Sequence, residues 1–114
     1  MKIQSILWTL FLTSCALRPD FISLKNGAEK VIISKRPPPK NSKFIKDLES
    51  KHGGGCGDFG ARGQIEAAVN DLRNQAFDLG ADFIQIENVK RPGLENGWCF
   101  SQSYELIGKC YKKH

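Results

Sequence analysis

Between residues 64 and 82 the chain reads QIEAAVNDLRNQAFDLGAD. Ile65, Ala68, Val69, Leu72, Ala76 and Leu79 recur at steps of three and four, the period of a single stripe along an α-helix. Glu66, Asn70, Asp71, Arg73, Asn74 and Asp78 fall mostly on the other side. The stripe includes two alanines, so a flat partner can approach closely. Gly80 follows the last apolar position, where a left-handed glycine stops a helix without steric strain. The pattern then changes to Phe83-Ile84-Gln85-Ile86-Glu87, which reads as a strand.

A helix with one apolar stripe needs a sheet to cover, and other segments supply the strands. Residues 30–34 are a short β-branched run and predict a first strand. Pro37-Pro38-Pro39 cannot donate to a ladder, so the prolines end that strand and make a stiff connection. Residues 44–50 alternate in part, with Phe44 and Leu48 on one face, and residues 104–111 form a last strand. Residues 51–63, with Gly53, Gly54, Gly55, Gly57, Gly60 and Gly63, predict a flexible loop into the helix, and residues 90–97 a second loop. The expected fold is α+β: one amphipathic helix on a small, mostly antiparallel sheet, in the chain order β-β-α-β-β.

Length and composition change this picture little. A chain of 114 residues predicts one domain, and 40% apolar residues allow only a thin core that benefits from a covalent staple. The formal charge is +5, with Lys35, Arg36, Lys40, Lys43 and Lys46 crowded together. No aromatic platform interleaves with these cations, so a solvated basic face is expected and no nucleic-acid partner.

The N-terminal segment carries the clearest address. Met1-Lys2 is a short positive start, residues 3–12 are mostly apolar, and Leu12-Thr13-Ser14-Cys15 resembles the bacterial lipobox. The apolar run is too short for a mature membrane span. In lipoproteins with such a motif the cysteine sulfur takes a diacylglyceryl group. Cleavage before the cysteine follows, and its new amine is acylated, palmitate being a usual chain. The expectation is therefore a signal peptide over residues 1–14, lipidation at Cys15, a tether over residues 15–27 and a domain over residues 28–114. Two or more acyl chains anchor a protein stably where one does not. Ala16 follows the cysteine. Aspartate there favours inner-membrane retention in such lipoproteins, so alanine directs the expectation to the periplasmic face of the outer membrane.

With Cys15 assigned to lipid, Cys56, Cys99 and Cys110 remain. An oxidising compartment predicts a disulfide and leaves one thiol over. Cys56 and Cys99 lie in glycine-bearing loops whose backbone can adopt disulfide geometry, while Cys110 lines up with Leu106 and Gly108 as a small hydrophobe. Pairing Cys56 with Cys99 is the expectation, a Cys56–Cys110 bridge is its serious rival, and a Cys99–Cys110 bridge requires the chain to fold back between them. His52, Cys56 and Asp58 are close in sequence, with Cys99, Cys110 and His114 further on, but no CxxC pair occurs and the spacing fits no zinc pattern. No metal and no cofactor beyond the covalent lipid are expected. The glycine loop GGGCGDFGARG lacks the lysine-serine end of a P-loop, and neither GxSxG nor HExxH occurs. Glu66, Asp71 and Asp78 read as a solvated helix face, so no catalytic residue is expected.

Taken together, these pieces resemble a family of small bacterial lipoproteins built on a domain of unknown function, itself distantly similar to the Rcs envelope-stress sensor lipoprotein. The resemblance rests on the lipobox, Gly27-Ala28-Glu29-Lys30-Val31, Phe44-Ile45, Asn70-Asp71-Leu72-Arg73-Asn74-Gln75-Ala76 with Leu79-Gly80-Ala81-Asp82, and Ile107-Gly108 with Tyr111-Lys112. It is densest over the helix. It implies a helix on a small sheet and no known catalysis. The stress sensor joins the loop before the helix to the loop before the last strand by a disulfide, and Cys56 and Cys99 occupy comparable places. Its second disulfide has no counterpart here, since Asn88 and the neighbourhood of Tyr104 hold those places. Many family members also carry cysteines where Ser42 and Lys113 stand. The functional expectation is a non-catalytic envelope lipoprotein that contacts the membrane through lipid and binds an envelope protein. The alternatives are a stress sensor signalling through protein contacts and a periplasmic metal-binding or hydrolytic protein.

Overall fold

A computed structural model describes residues 20–56, 60–95 and 99–113. A turn of 3-10 helix (Ala28–Lys30) leads into β1 (Ile32–Ser34) and β2 (Ser42–His52). The helix α1 (Ile65–Asp78) follows, then β3 (Phe83–Lys90), β4 (Gly93–Glu95), β5 (Cys99–Ser101) and β6 (Tyr104–Lys113). Four strands form one sheet in the order β1-β3-β6-β2, and β4 pairs with β5 in a separate two-stranded sheet. The β2–β6 and β3–β6 ladders are antiparallel and β1 runs parallel to β3. The architecture is the α+β one expected, with a hairpin added where residues 90–97 read as loop.

Strand order explains the prolines. β1 and β2 occupy opposite edges of the sheet, so residues 35–41 carry the chain across three strand spacings, roughly 14 Å. An extended polyproline segment rises about 3.1 Å per residue, so a connection of this length covers that distance while the prolines keep it stiff.

The core lies between α1 and one face of the sheet. Leu72, Ile84 and Cys110 are fully buried, with Leu48, Leu106, Val31, Ala68 and Ala76 around them. Period-two alternation places Leu48, Ser50 and His52 of β2, and Leu106, Gly108 and Cys110 of β6, on the helix side. A bulge between Ile86 and Asn88 resets β3, so that Val89, opposite Leu106, joins the core margin and Asn88 turns to solvent. At Gly108 an added Cβ would lie 2.8 Å from the Gln85 carbonyl of the neighbouring strand.

The helix ends as the sequence predicts. Gly80 has φ +76°, Gly80 N–H donates to Phe77 O and Ala81 N–H to Ala76 O, the paired bonds of a Schellman cap. The stripe is shorter than predicted, because Ile65 and Leu79 at its two ends are exposed. Asn74, on the side read as polar, is buried, and so is Ala67. The cause is a further layer, described below.

Leu72 sits mid-stripe and fully buried, so Leu72→Ala is expected to cost about 2–5 kcal/mol, measured as a lower urea midpoint. An unchanged midpoint would remove α1 from the core.

Candidate functional site

The region expected as a tether is, in its described part, a strap laid along α1. Asn70 Nδ2 donates to Ile22 O at 2.9 Å. Asn74 uses both ends of its amide: Nδ2 donates to Ser23 O at 2.9 Å and Oδ1 accepts from Lys25 N–H at 2.8 Å. An exposed ion pair, Lys25 Nζ to Asp78 Oδ2 at 2.6 Å, closes the row. Residues four apart share a helix face, so two asparagines at this spacing bind an extended segment as a short ladder. Gly27 then turns at φ +99°, so close to the Phe77 ring that a Cβ there would stand 3.0 Å from it.

His52 fastens the start of the strap. Its Nδ1 accepts the Gln64 N–H at 2.9 Å, satisfying a backbone donor at the entrance to α1, and its Nε2 lies 2.8 Å from Asp20 O. Asp20 O can only accept, so the ring is the neutral Nε2–H tautomer. One buried imidazole thus ties the end of β2, the entrance to α1 and Asp20 of the strap. Cys15 lies outside the described residues.

In its described residues the glycine-rich stretch is held by backbone hydrogen bonds where a flexible loop is expected. Gly54 and Ala61 exchange backbone hydrogen bonds at 2.9 and 2.7 Å, Gly63 N–H donates to Gln102 O at 2.7 Å, and Gln102 N–H to Gly55 O at 3.2 Å. A Cβ at Gly53 would collide with the backbone of Gly63 and Gln102, and one at Gly63 with the His52 carbonyl. The glycines let three backbone segments cross in contact. The Cys56–Cys99 disulfide locks this crossing, with Cα atoms 5.4 Å apart and Cys56 bridged by backbone to Ser101. Among the described residues Cys110 is the free cysteine, and burial pushes its thiol pKa up, so it stays protonated and inert as a core side chain. Both rival pairings are thereby replaced by Cys56–Cys99. Asp58 and His114 lie outside the described residues, among which no group of three or more His, Cys, Asp or Glu side chains gathers.

From this end projects the β4–β5 hairpin, with Leu94 directly opposite Phe100 and both exposed. On the face of the main sheet away from α1, Ile32 and Phe44 are exposed while Phe83 is buried. Ile32, Phe83, Tyr111 and Phe44 form one row across all four strands, the Tyr111 ring edge-on to Phe44 at 5.7 Å and to Phe83 at 6.5 Å. Next along β6, Lys109 pairs with Glu87 at 3.3 Å and stands 5.9 Å from the centre of the Phe44 ring. The Glu87 hydrogen bond, then the Glu87 and Asp47 charges, hold the Lys109 pKa above its ordinary value. The five crowded cations are all exposed, as expected of a solvated face. Ser42 and Lys113 are direct cross-strand partners.

No protein-family model, curated protein or solved structure matches this chain.

Three outcomes test this geometry. Peptide mapping of the non-reduced protein is expected to link Cys56 to Cys99, and reduction to cost about 4 kcal/mol for a loop of 43 residues' separation. Maleimide is expected to modify Cys110 only after denaturation. Asn74→Ala leaves Ser23 O and Lys25 N–H without partners, a loss of about 1–3 kcal/mol. It is expected to appear as faster tryptic cleavage after Lys25 and faster exchange of the Lys25 amide, and unchanged rates would mean the strap is held by other contacts.

Proposed function

We propose that this chain is a non-catalytic lipoprotein of the bacterial envelope, held at the periplasmic face of the outer membrane by lipid on Cys15, with its small domain serving to bind another envelope component. The observation that carries the proposal is the N-terminal pattern: a basic start, an apolar run too short to span, and Leu12-Thr13-Ser14-Cys15 at its end. Ala16 supports the outer rather than the inner membrane. The strap is consistent with this reading, since Asp20, five positions after Cys15 in the sequence, is fastened to the domain by His52. The Cys56–Cys99 disulfide accords with folding in an oxidising compartment.

In this reading the acyl chains supply membrane affinity and the protein supplies specificity. Free energy of anchoring accrues at about 0.8 kcal/mol per buried methylene, so diacylglyceryl and amide-linked chains together hold the domain at the bilayer without a protein span.

Cys15→Ser is expected to accumulate as an uncleaved precursor or to fractionate as soluble protein. Wild-type protein should partition into detergent and give an acylated N-terminal peptide by mass. A mutant of normal processed size that still partitions fully into detergent would overturn the proposal.

A further inference from the structure

The placement of the strap fixes which part of the domain faces the bilayer, if Cys15 is its anchor. Asp20 is bound to His52, at the end of the sheet where β2 finishes, β6 begins and the disulfide lies. From Cys15 to Asp20 the chain spans at most roughly 18 Å when fully extended. That limit holds whatever path those residues take. The Phe44–Tyr111 row lies at the opposite end of β6, roughly 24 Å further along the sheet. The disulfide end is therefore held close to the lipid, and the aromatic row is not.

That end carries apolar side chains that the fold leaves uncovered. Leu94 is 71% exposed and Phe100, its cross-strand partner, 40%. Phe21, next to the tethered residue, is 49% exposed. Arg62 and Arg91 stand exposed near the same end. Large apolar side chains beside cationic ones are the pattern of a surface that inserts shallowly among lipid headgroups, the apolar groups entering the acyl boundary and the guanidinium groups meeting phosphate. The disulfide keeps the hairpin from folding back: Cys99 in β5 is bonded to Cys56, and Cys56 is bridged to Ser101.

We infer that the β4–β5 hairpin is a second, non-covalent membrane contact, seating the Leu94–Phe100 pair in the bilayer surface and holding the domain upright on its tether. The occupant is phospholipid. This inference rests on the Cys15 anchor proposed above.

The test uses the full-length acylated protein in vesicles of phosphatidylethanolamine and phosphatidylglycerol. The photoreactive residue p-benzoylphenylalanine is placed at Leu94, Phe100, Phe44 or Ile107 in turn, all exposed positions, and lipid adducts are read by peptide mass. Adducts several-fold more abundant at Leu94 and Phe100 than at Phe44 and Ile107 are expected. The same preparation reports the Cys15 peptide, which separates the two readings. An acylated Cys15 with equal or absent lipid adducts at all four positions overturns the hairpin contact and leaves the anchor standing. Protein adducts at Leu94 in whole cells, without lipid adducts in vesicles, overturn it in favour of a protein partner. An unmodified Cys15 removes both. As a second readout, Leu94→Asp with Phe100→Asp in the otherwise native acylated protein is expected to raise tryptic cleavage after the exposed Arg62, near the same end, several-fold. Equal cleavage rates in the two proteins would count against the contact.

Discussion

The helix lies so close to the sheet that the Ser50 hydroxyl of β2 donates to the Ala68 carbonyl of α1 at 2.8 Å, fully buried. That approach sets the rest. It requires small side chains where helix and sheet touch, which Ala68, Ala76 and Gly108 provide, and it leaves room for one large one, Leu72. A hydroxyl buried at this interface must find an acceptor or cost about 1–3 kcal/mol, so the contact also fixes the sliding register of helix against sheet. On the outer edge Gln75 Nε2 donates to the Glu49 carbonyl at 2.9 Å, covering one of the unpaired acceptors that make β2 an edge strand. Close packing and edge protection thus come from the same face of the same helix.

Much of the fold was legible because each main element carries a single clear signal. The three-and-four spacing through Ala68, Leu72 and Ala76 marked the buried stripe, and Gly80 marked its end. The strands stood out through β-branched and apolar runs, yet their lengths and partners did not. β2 extends to Ser42 and His52 because β6 offers a full-length partner, a tertiary fact that local pattern does not contain. The β4–β5 hairpin was hidden for a similar reason. Pro92 and Gly93 read as loop, and what makes the segment a strand is the disulfide and the pairing with Cys99, Phe100 and Ser101.

The candidate site was legible in part. The positions of Cys56 and Cys99 in glycine-bearing loops favoured their pairing, but spacing alone left Cys110 as a competitor until the core claimed it. The strap was not legible. Asn70 and Asn74 are polar, so periodicity assigned them to solvent, whereas each amide is a partner for extended backbone. The signal available was their spacing of four on a helix that has another segment to bury. In sequence His52 offers only a metal-ligand side chain without a matching ligand set. Its role depends on Asp20 and Gln64 arriving from either side, which only the fold brings about.

The direction of the strap has a mechanical consequence. Residues 20–25 run the same way as α1, from His52 near its first turn to Asp78 at its last. A pull on residue 20 along the helix axis therefore loads the bonds from Asp20, Ile22, Ser23 and Lys25 in shear, all at once. A strap laid across the helix would be peeled one bond at a time, each failing alone under a small force. Thermal tugging at the N-terminal end is thus shared along the whole length of α1, and through Leu72 it passes into the core.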